Sequence, residues 1–194
     1  SELITLESPN SFTGNLIVSG RVAIAHPQAA SRPTIVNSGE LRIDRPDLVF
    51  TPEIRIARGQ IDNLGEISGP VILEKSDFGT PRLLGGRFTG VISGSTDVAF
   101  AARDGNDQTI SGQNDFDGIA WSGFGVVNAN SSTAFGTTNW ATVATSGTLN
   151  VNQATNELFY VSGSGQLNLN APVERAPRFL VHSFPSSSEP RVAI

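Results

Sequence analysis

Apolar residues in this chain occur in short alternating runs that are separated by glycine. Residues 16–24 read LIVSGRVAI, and residues 34–43 repeat the arrangement as TIVNSGELRI. A run of this length cannot bury a core alone, so it has to stack on copies of itself. The pattern therefore predicts a repeat architecture built from short β-strands.

Between residues 40 and 56, apolar positions alternate with charged ones. The apolar positions are Leu41, Ile43, Ile54 and Ile56, and the charged positions beside them are Glu40, Arg42, Glu53 and Arg55. A period of two places one face of a strand against the core and the other in water. Opposite charges lie side by side on the predicted outer face, which favours a solvated surface over a binding groove.

Glycines that precede the strands indicate the length of one coil. They are Gly20, Gly39, Gly65, Gly86, Gly125, Gly147 and Gly165. Their mean spacing is about 21 residues when the long step after Gly86 is counted as two coils with one marker missing. Such a spacing is typical of solenoids, whereas a sandwich has turns about every 8 to 12 residues. We predict an all-β fold, a parallel β-helix (β-solenoid) of about eight coils; the alternative is an antiparallel β-sandwich or jelly roll.

The last part of the chain differs from the repeats. Residues 171–194 contain four prolines and a run of three serines at 186–188. Proline cannot donate a ladder hydrogen bond, so we predict a solenoid over residues 1–170 and an extended, Pro-rich C-terminal arm over 171–194. The arm is expected to lie over the solenoid or on a neighbouring molecule. Its candidate assembly residues are Pro172, Pro177, Phe179, Phe184, Pro185 and Pro190.

Composition excludes several classes of function. Charged residues make up 16% of the chain and the net charge is −5, with no basic cluster for a nucleic acid. Cysteine is absent, which excludes disulfides, thiolate metal sites and thiol nucleophiles. No apolar run approaches the roughly 18 residues that a membrane span needs. We therefore expect no nucleic-acid partner and no membrane span.

Residues 118–156 contain no charged side chain and are rich in Asn, Ser and Thr. Neutral amides and hydroxyls at equivalent positions of stacked coils can form ladders without repulsion. We expect inward asparagine ladders and outward threonine ladders; the alternative is a contact surface for a neighbouring subunit or a glycan. Trp121, Trp140 and Tyr160 lie in or beside this segment and are the candidate ligand or partner contacts, unless they fill the core or its corners.

Candidate catalytic and metal-binding groups are few. Asp104, Asp107, Asp115 and Asp117 are weak calcium candidates because oxygen-rich loops can hold this ion. Their spacing matches no calcium loop, and aspartate is common in turns. No Gly-x-Ser-x-Gly nucleophile motif occurs in the sequence. We predict no catalytic residue, no metal, no cofactor and no enzymatic activity.

Two segments, NSFTG at residues 10–14 and NDFDG at 114–118, resemble the repeat of autotransporter passenger domains. The similarity extends over residues 10–43 and 109–151, although Asp117 replaces the expected threonine. The resemblance implies a right-handed parallel β-helix that is exported, surface-exposed, and adhesive or purely a stalk.

Together these observations predict a non-enzymatic structural or adhesive surface protein. It is expected outside the cell or on its surface, assembling through its solenoid ends, its neutral face and its C-terminal arm. The expected partners are copies of itself or neighbouring structural proteins, or a glycan. The alternatives are a virion decoration or fibre component, located in a phage or virus particle, and a polysaccharide-active β-helix enzyme.

Overall fold

The computed structural model describes residues 2–103, 105–137, 141–144, 146–155, 158–162, 165–171, 180–182 and 191–193. Within these ranges the chain forms 23 β-strands and no helix. None of the described segments is therefore a helix that could cross a bilayer. All pairings between the described strands are parallel. The predicted alternative, an antiparallel sandwich or jelly roll, is wrong.

The strands form three sheets, named A, B and C. Sheet A has ten strands in the order β1 (Leu3–Leu6), β3 (Arg21–Ile24), β5 (Glu40–Ile43), β8 (Gln60–Asn63), β11 (Arg82–Leu84), β14 (Val98–Ala101), β16 (Ala120–Ser122), β18 (Ala141–Ala144), β20 (Leu158–Ser162) and β22 (Leu180–His182). Sheet B has five, in the order β2 (Leu16–Val18), β4 (Thr34–Val36), β7 (Ile54–Ile56), β10 (Val71–Leu73) and β13 (Ile92–Gly94). Sheet C has eight, in the order β6 (Val49–Phe50), β9 (Glu66–Ile67), β12 (Arg87–Phe88), β15 (Gln108–Ile110), β17 (Val126–Ala129), β19 (Thr148–Val151), β21 (Gln166–Leu169) and β23 (Arg191–Ala193).

One coil passes through sheets A, C and B in turn. The strands β8, β9 and β10 make up such a coil, and β11 returns to sheet A beside β8. The same circuit is repeated along the chain, but the first coils have no strand in sheet C and the coils after β13 have none in sheet B. The structure thus confirms a parallel β-solenoid of about eight coils.

Glycine is required where successive coils approach closely at their corners. A Cβ atom on Gly39 would collide with the carbonyl oxygen of Gly20 in the coil before it, and one on Gly59 would collide with Gly39. These glycines precede strands of sheet A, whereas the predicted markers from Gly65 onward precede strands of sheet C. The long step after Gly86 does span two coils, because β15 begins without a glycine before it.

The core lies between the three sheets and consists of stacked apolar side chains. On sheet A the inward column runs through Val22, Leu41, Ile61, Leu83 and Phe100, which are register partners in consecutive coils. All five are buried. Burial of a side chain of this size contributes about 1.5–3 kcal/mol, so the column is a main source of stability.

Aromatic rings fill the core beyond β13, where sheet B ends. Phe100 and Phe116 have ring centroids 6.2 Å apart, Phe100 and Phe135 are 5.9 Å apart, and Phe135 and Phe159 are 6.5 Å apart. Phe116 and Phe135 come from the segments that replace the strands of sheet B. Their bulk compensates for the smaller inward residues of sheet A at this level, such as Ser122.

Parts of the C-terminal segment belong to the solenoid. Strands β22 and β23 pair in register with β20 and β21, and so extend sheets A and C. The predicted assembly residues Pro172, Pro177, Phe179, Phe184, Pro185 and Pro190 lie outside the described residues. The division at residue 170 stays a prediction.

Candidate contact surface

Two ladders of asparagine side chains cross the C-terminal half of sheet C. In the first, the Nδ2 of Asn150 donates to the Oδ1 of Asn128 at 2.8 Å, and Asn168 donates to Asn150 at 2.8 Å. In the second, Asn152 donates to Asn130 at 2.7 Å, and Asn170 donates to Asn152 at 2.8 Å. We call the surface formed by these six residues the asparagine face.

The asparagine face points outward. Along these strands the asparagines alternate with buried residues such as Val127, Leu149 and Leu167, which fill the core side. The predicted asparagine ladders are therefore confirmed, but their predicted inward direction is wrong. The reason is that β-strand geometry sends alternate side chains to opposite faces, and the apolar residues occupy the inner one.

Each amide of the asparagine face keeps hydrogen-bonding capacity for a partner. A primary amide has two N–H donors, and the ladder uses one of them, so the second remains available. Neighbouring amides are about 4.8 Å apart along a ladder, and the two ladders are about 7 Å apart across the strands. The result is a regular, uncharged grid of donors and acceptors.

Nearer the N-terminus, the same outward column of sheet C carries charges. Glu66 is the register partner of Arg87, Arg87 of Thr109, and Thr109 of Asn128, so the four positions form one column. The Arg87 guanidinium donates to the Glu66 carboxylate at 2.7 Å, and the Thr89 hydroxyl donates to the same carboxylate at 2.9 Å. The outer face of sheet C thus changes from ion pairs to neutral amides along the solenoid.

Sheet A carries a second network of charges on its outer face. Arg21 donates to Glu40 at 3.0 Å, and Arg103 lies 3.6 Å from Glu40. Arg103 also pairs with Asp62, which is fully buried, and Arg42 is 3.8 Å from the same carboxylate. The predicted arrangement of opposite charges side by side on this face is confirmed, and the network cross-links several coils.

Two of the predicted aromatic contacts, Trp121 and Tyr160, belong to strands of sheet A and not to the asparagine face on sheet C. Trp121 is 38% exposed and belongs to sheet A, where its register partner in the next coil is Val143. Val143 in turn pairs with Tyr160, so Trp121 and Tyr160 share one column, about 10 Å apart across two coils. Trp140 lies outside the described residues. The structure brings two of the three residues to one sheet, away from the ladders.

Three of the four weak calcium candidates lie in the part of the chain that the structure describes, and they do not belong to a group that could hold a metal. Asp107, Asp115 and Asp117 are exposed, and Asp104 lies outside the described residues. The backbone N–H groups of Asp115 and Asp117 donate to Ile92 and Gly94, so both residues belong to a segment that extends sheet B. Among the described residues no three His, Cys, Asp or Glu side chains form a group that could hold a metal.

A cleft that the sequence did not predict lies beside loop 74–81, and its wall includes Phe78. Phe78 is 81% exposed, which is unusual for this residue type. The available signal was a phenylalanine within a polar segment, SDFGT at residues 76–80, rather than in an alternating run.

The two segments that resemble the passenger repeat occupy different sides of the coil. Residues 10–14 precede β2 of sheet B, whereas residues 114–118 precede β16 of sheet A. No known protein family, curated protein or solved structure matches the chain. What the outward faces can bind therefore has to follow from their geometry and chemistry.

Proposed function

We propose that this chain is a non-enzymatic structural or adhesive element of an exterior surface, and that the asparagine face is its main contact surface. The observation that carries the proposal is the pair of outward amide ladders at 2.7–2.8 Å. The exterior location follows from the resemblance to passenger repeats.

A neutral amide grid suits a contact surface for two physical reasons. First, burying it against a partner avoids the large desolvation cost of charged groups. Second, the ladders hold the side chains in place beforehand, so little side-chain entropy is lost when a partner binds. The partner that fits best is a neighbouring copy or another structural protein with a regular polar face; an uncharged glycan is the second candidate.

The N-terminal end of the solenoid supports assembly as well. Strands β1 and β2 are the outermost described strands of sheets A and B, and Ile4 and Ile17 are exposed on them. A strand at the edge of a sheet can pair with a strand of another chain. End-to-end contacts of this kind would add to those made by the asparagine face.

The test compares two double variants of the whole chain. Asn150→Lys with Asn152→Lys places two like charges in the asparagine face, while Ser31→Lys with Gln113→Lys adds the same charges at exposed positions outside that face and outside β1 and β2. Self-association is measured by sedimentation velocity over a range of concentrations, and glycan binding by co-sedimentation with insoluble cellulose.

We expect the wild type and the Ser31/Gln113 variant to associate or bind cellulose alike, and the Asn150/Asn152 variant to lose this property. The proposal fails if the wild type neither associates nor binds, or if the Asn150/Asn152 variant matches it. Release of reducing sugar from cellulose would contradict the non-enzymatic assignment.

A further inference from the structure

The unpredicted cleft lies at the corner between sheets B and A. Its volume is about 550 Å³, and its polar and aromatic walls are formed by Ser38, Arg58, Gln60, Phe78, Thr80 and Arg82. The corners of the two preceding coils, at 37–39 and 57–59, are short, whereas loop 74–81 is longer and carries Phe78. Small-molecule clefts have volumes of about 300–1,000 Å³, so this one has room for a ligand.

The aromatic ring of the cleft lies beside one of its guanidinium groups, and that guanidinium is anchored to the backbone. The guanidinium carbon of Arg58 lies 5.5 Å from the ring centroid of Phe78. The Nε of Arg58 donates to the carbonyl oxygen of Asn37 at 3.1 Å, and the backbone N–H of Phe78 donates to the Oγ of Ser76 at 3.2 Å. Groups that are already positioned lose less entropy when a ligand binds.

The cleft is positively charged, although the chain has a net charge of −5. No carboxylate lines it. Arg58 and Arg82 form no ion pair with a described residue, whereas Arg21, Arg55 and Arg87 are each paired with a glutamate. Two guanidinium groups in one cleft are therefore available to an anion.

We propose that this cleft binds an acidic saccharide, a chain of uronic acid units. The guanidinium of Arg82 or Arg58 would hold a sugar carboxylate through paired hydrogen bonds, which the planar geometry of arginine favours. The exposed ring of Phe78 would pack against the apolar face of the sugar. Ser38, Gln60 and Thr80 have donors and acceptors suited to sugar hydroxyls.

The cleft contains no residue of the asparagine face, so the two proposals fail separately. The probe is an oligogalacturonate, titrated into the whole chain by isothermal calorimetry, with a neutral malto-oligosaccharide of equal length as the uncharged comparison. Dextran sulfate is the third ligand, because it tests whether any polyanion binds.

The variants are matched in charge and in residue type. Arg82→Gln removes a guanidinium from the cleft, whereas Arg32→Gln removes an exposed one elsewhere. Phe78→Ser removes the ring, and Phe124→Ser removes a ring that is 70% exposed and lies outside the cleft.

We expect the oligogalacturonate to bind the wild type, and Arg82→Gln and Phe78→Ser to weaken binding at least tenfold. Arg32→Gln and Phe124→Ser should change it less than twofold. The proposal is overturned if the wild type does not bind the oligogalacturonate, or if the cleft variants lose no more affinity than their controls. Equal binding of the malto-oligosaccharide or of dextran sulfate would also overturn it, since recognition would then not depend on the uronate.

Discussion

The carboxylate of Asp62 is buried on the outer side of sheet A beneath the guanidinium of Arg103, which reaches it from two coils further along the chain. The strand between them, β11, contributes Leu84 at the corresponding position. This side-chain ion pair therefore connects β8 directly to the coil of β14, two coils away, whereas backbone hydrogen bonds connect only neighbouring coils.

Removing Arg103 should destabilise the fold more than removing a surface arginine. In Arg103→Gln the buried carboxylate of Asp62 loses its closest partner, and breaking a buried pair in this way costs about 3–5 kcal/mol. Arg87→Gln, which breaks an exposed pair with Glu66, should cost about 1 kcal/mol or less. Urea denaturation measures both.

The double variant Asp62→Asn with Arg103→Gln provides the control. It removes the buried charge together with its partner, so it should be less destabilised than the sum of the two single variants. Additive losses would show that Asp62 and Arg103 do not depend on each other.

Asn114 should contribute far more to the stability of the fold than the asparagines of the outer ladders. Its buried side chain accepts the N–H of Ile92 at 2.8 Å and donates to the carbonyl oxygen of Ala134 at 2.7 Å, and so joins three successive coils. Asn114→Ala leaves both backbone groups without this partner, at a cost of about 1–3 kcal/mol each. Asn170→Ala, at the exposed end of a ladder, should change the free energy of unfolding by no more than about 0.5 kcal/mol. Equal denaturation midpoints for the two variants would contradict this role.

Gly39 should tolerate no side chain. Its backbone stacks on Gly20, and the Cβ of an alanine would collide with the Gly20 carbonyl oxygen, so Gly39→Ala has to separate two coils. The matched substitution Gly14→Ala meets no atom within 4 Å. Thermal unfolding should show a lower melting temperature for Gly39→Ala by several degrees, and little change for Gly14→Ala. Equal melting temperatures for both variants and the wild type would show that the close approach of Gly39 to Gly20 does not require glycine.

The alternation of apolar and polar residues was sufficient to predict strands that stack in parallel, because each run is too short to form a core alone. The same alternation indicates the direction of the asparagine side chains. Leu149 and Val151, on either side of Asn150, are buried, so the side chain of Asn150 points outward. The prediction of inward amides rests on the stacking of like residues in successive coils, which does not set the direction of the side chains. The alternation of the strand itself was the better guide.

Contacts between distant coils could not be predicted. Asp62 sits in an ordinary alternating strand, and its burial depends on Arg103 in a loop two coils later. The cleft likewise needs the corner glycines and loop 74–81 to meet in space. The polar surroundings of Phe78 in SDFGT indicate an exposed ring, but they do not show which residues of other coils lie beside it.

The register of sheet C creates the asparagine face, and distances between spin labels test it most directly. The chain has no cysteine, so pairs of labels can be attached at Glu66 together with Asn128, Asn150 or Asn168 after substitution by cysteine. These positions share one outward column through successive register pairs. With about 4.8 Å between neighbouring strands, pulsed electron paramagnetic resonance should give backbone separations of about 14, 19 and 24 Å. Distances that do not rise by one strand spacing per coil would contradict the stacked register, and with it the amide grid proposed as the contact surface.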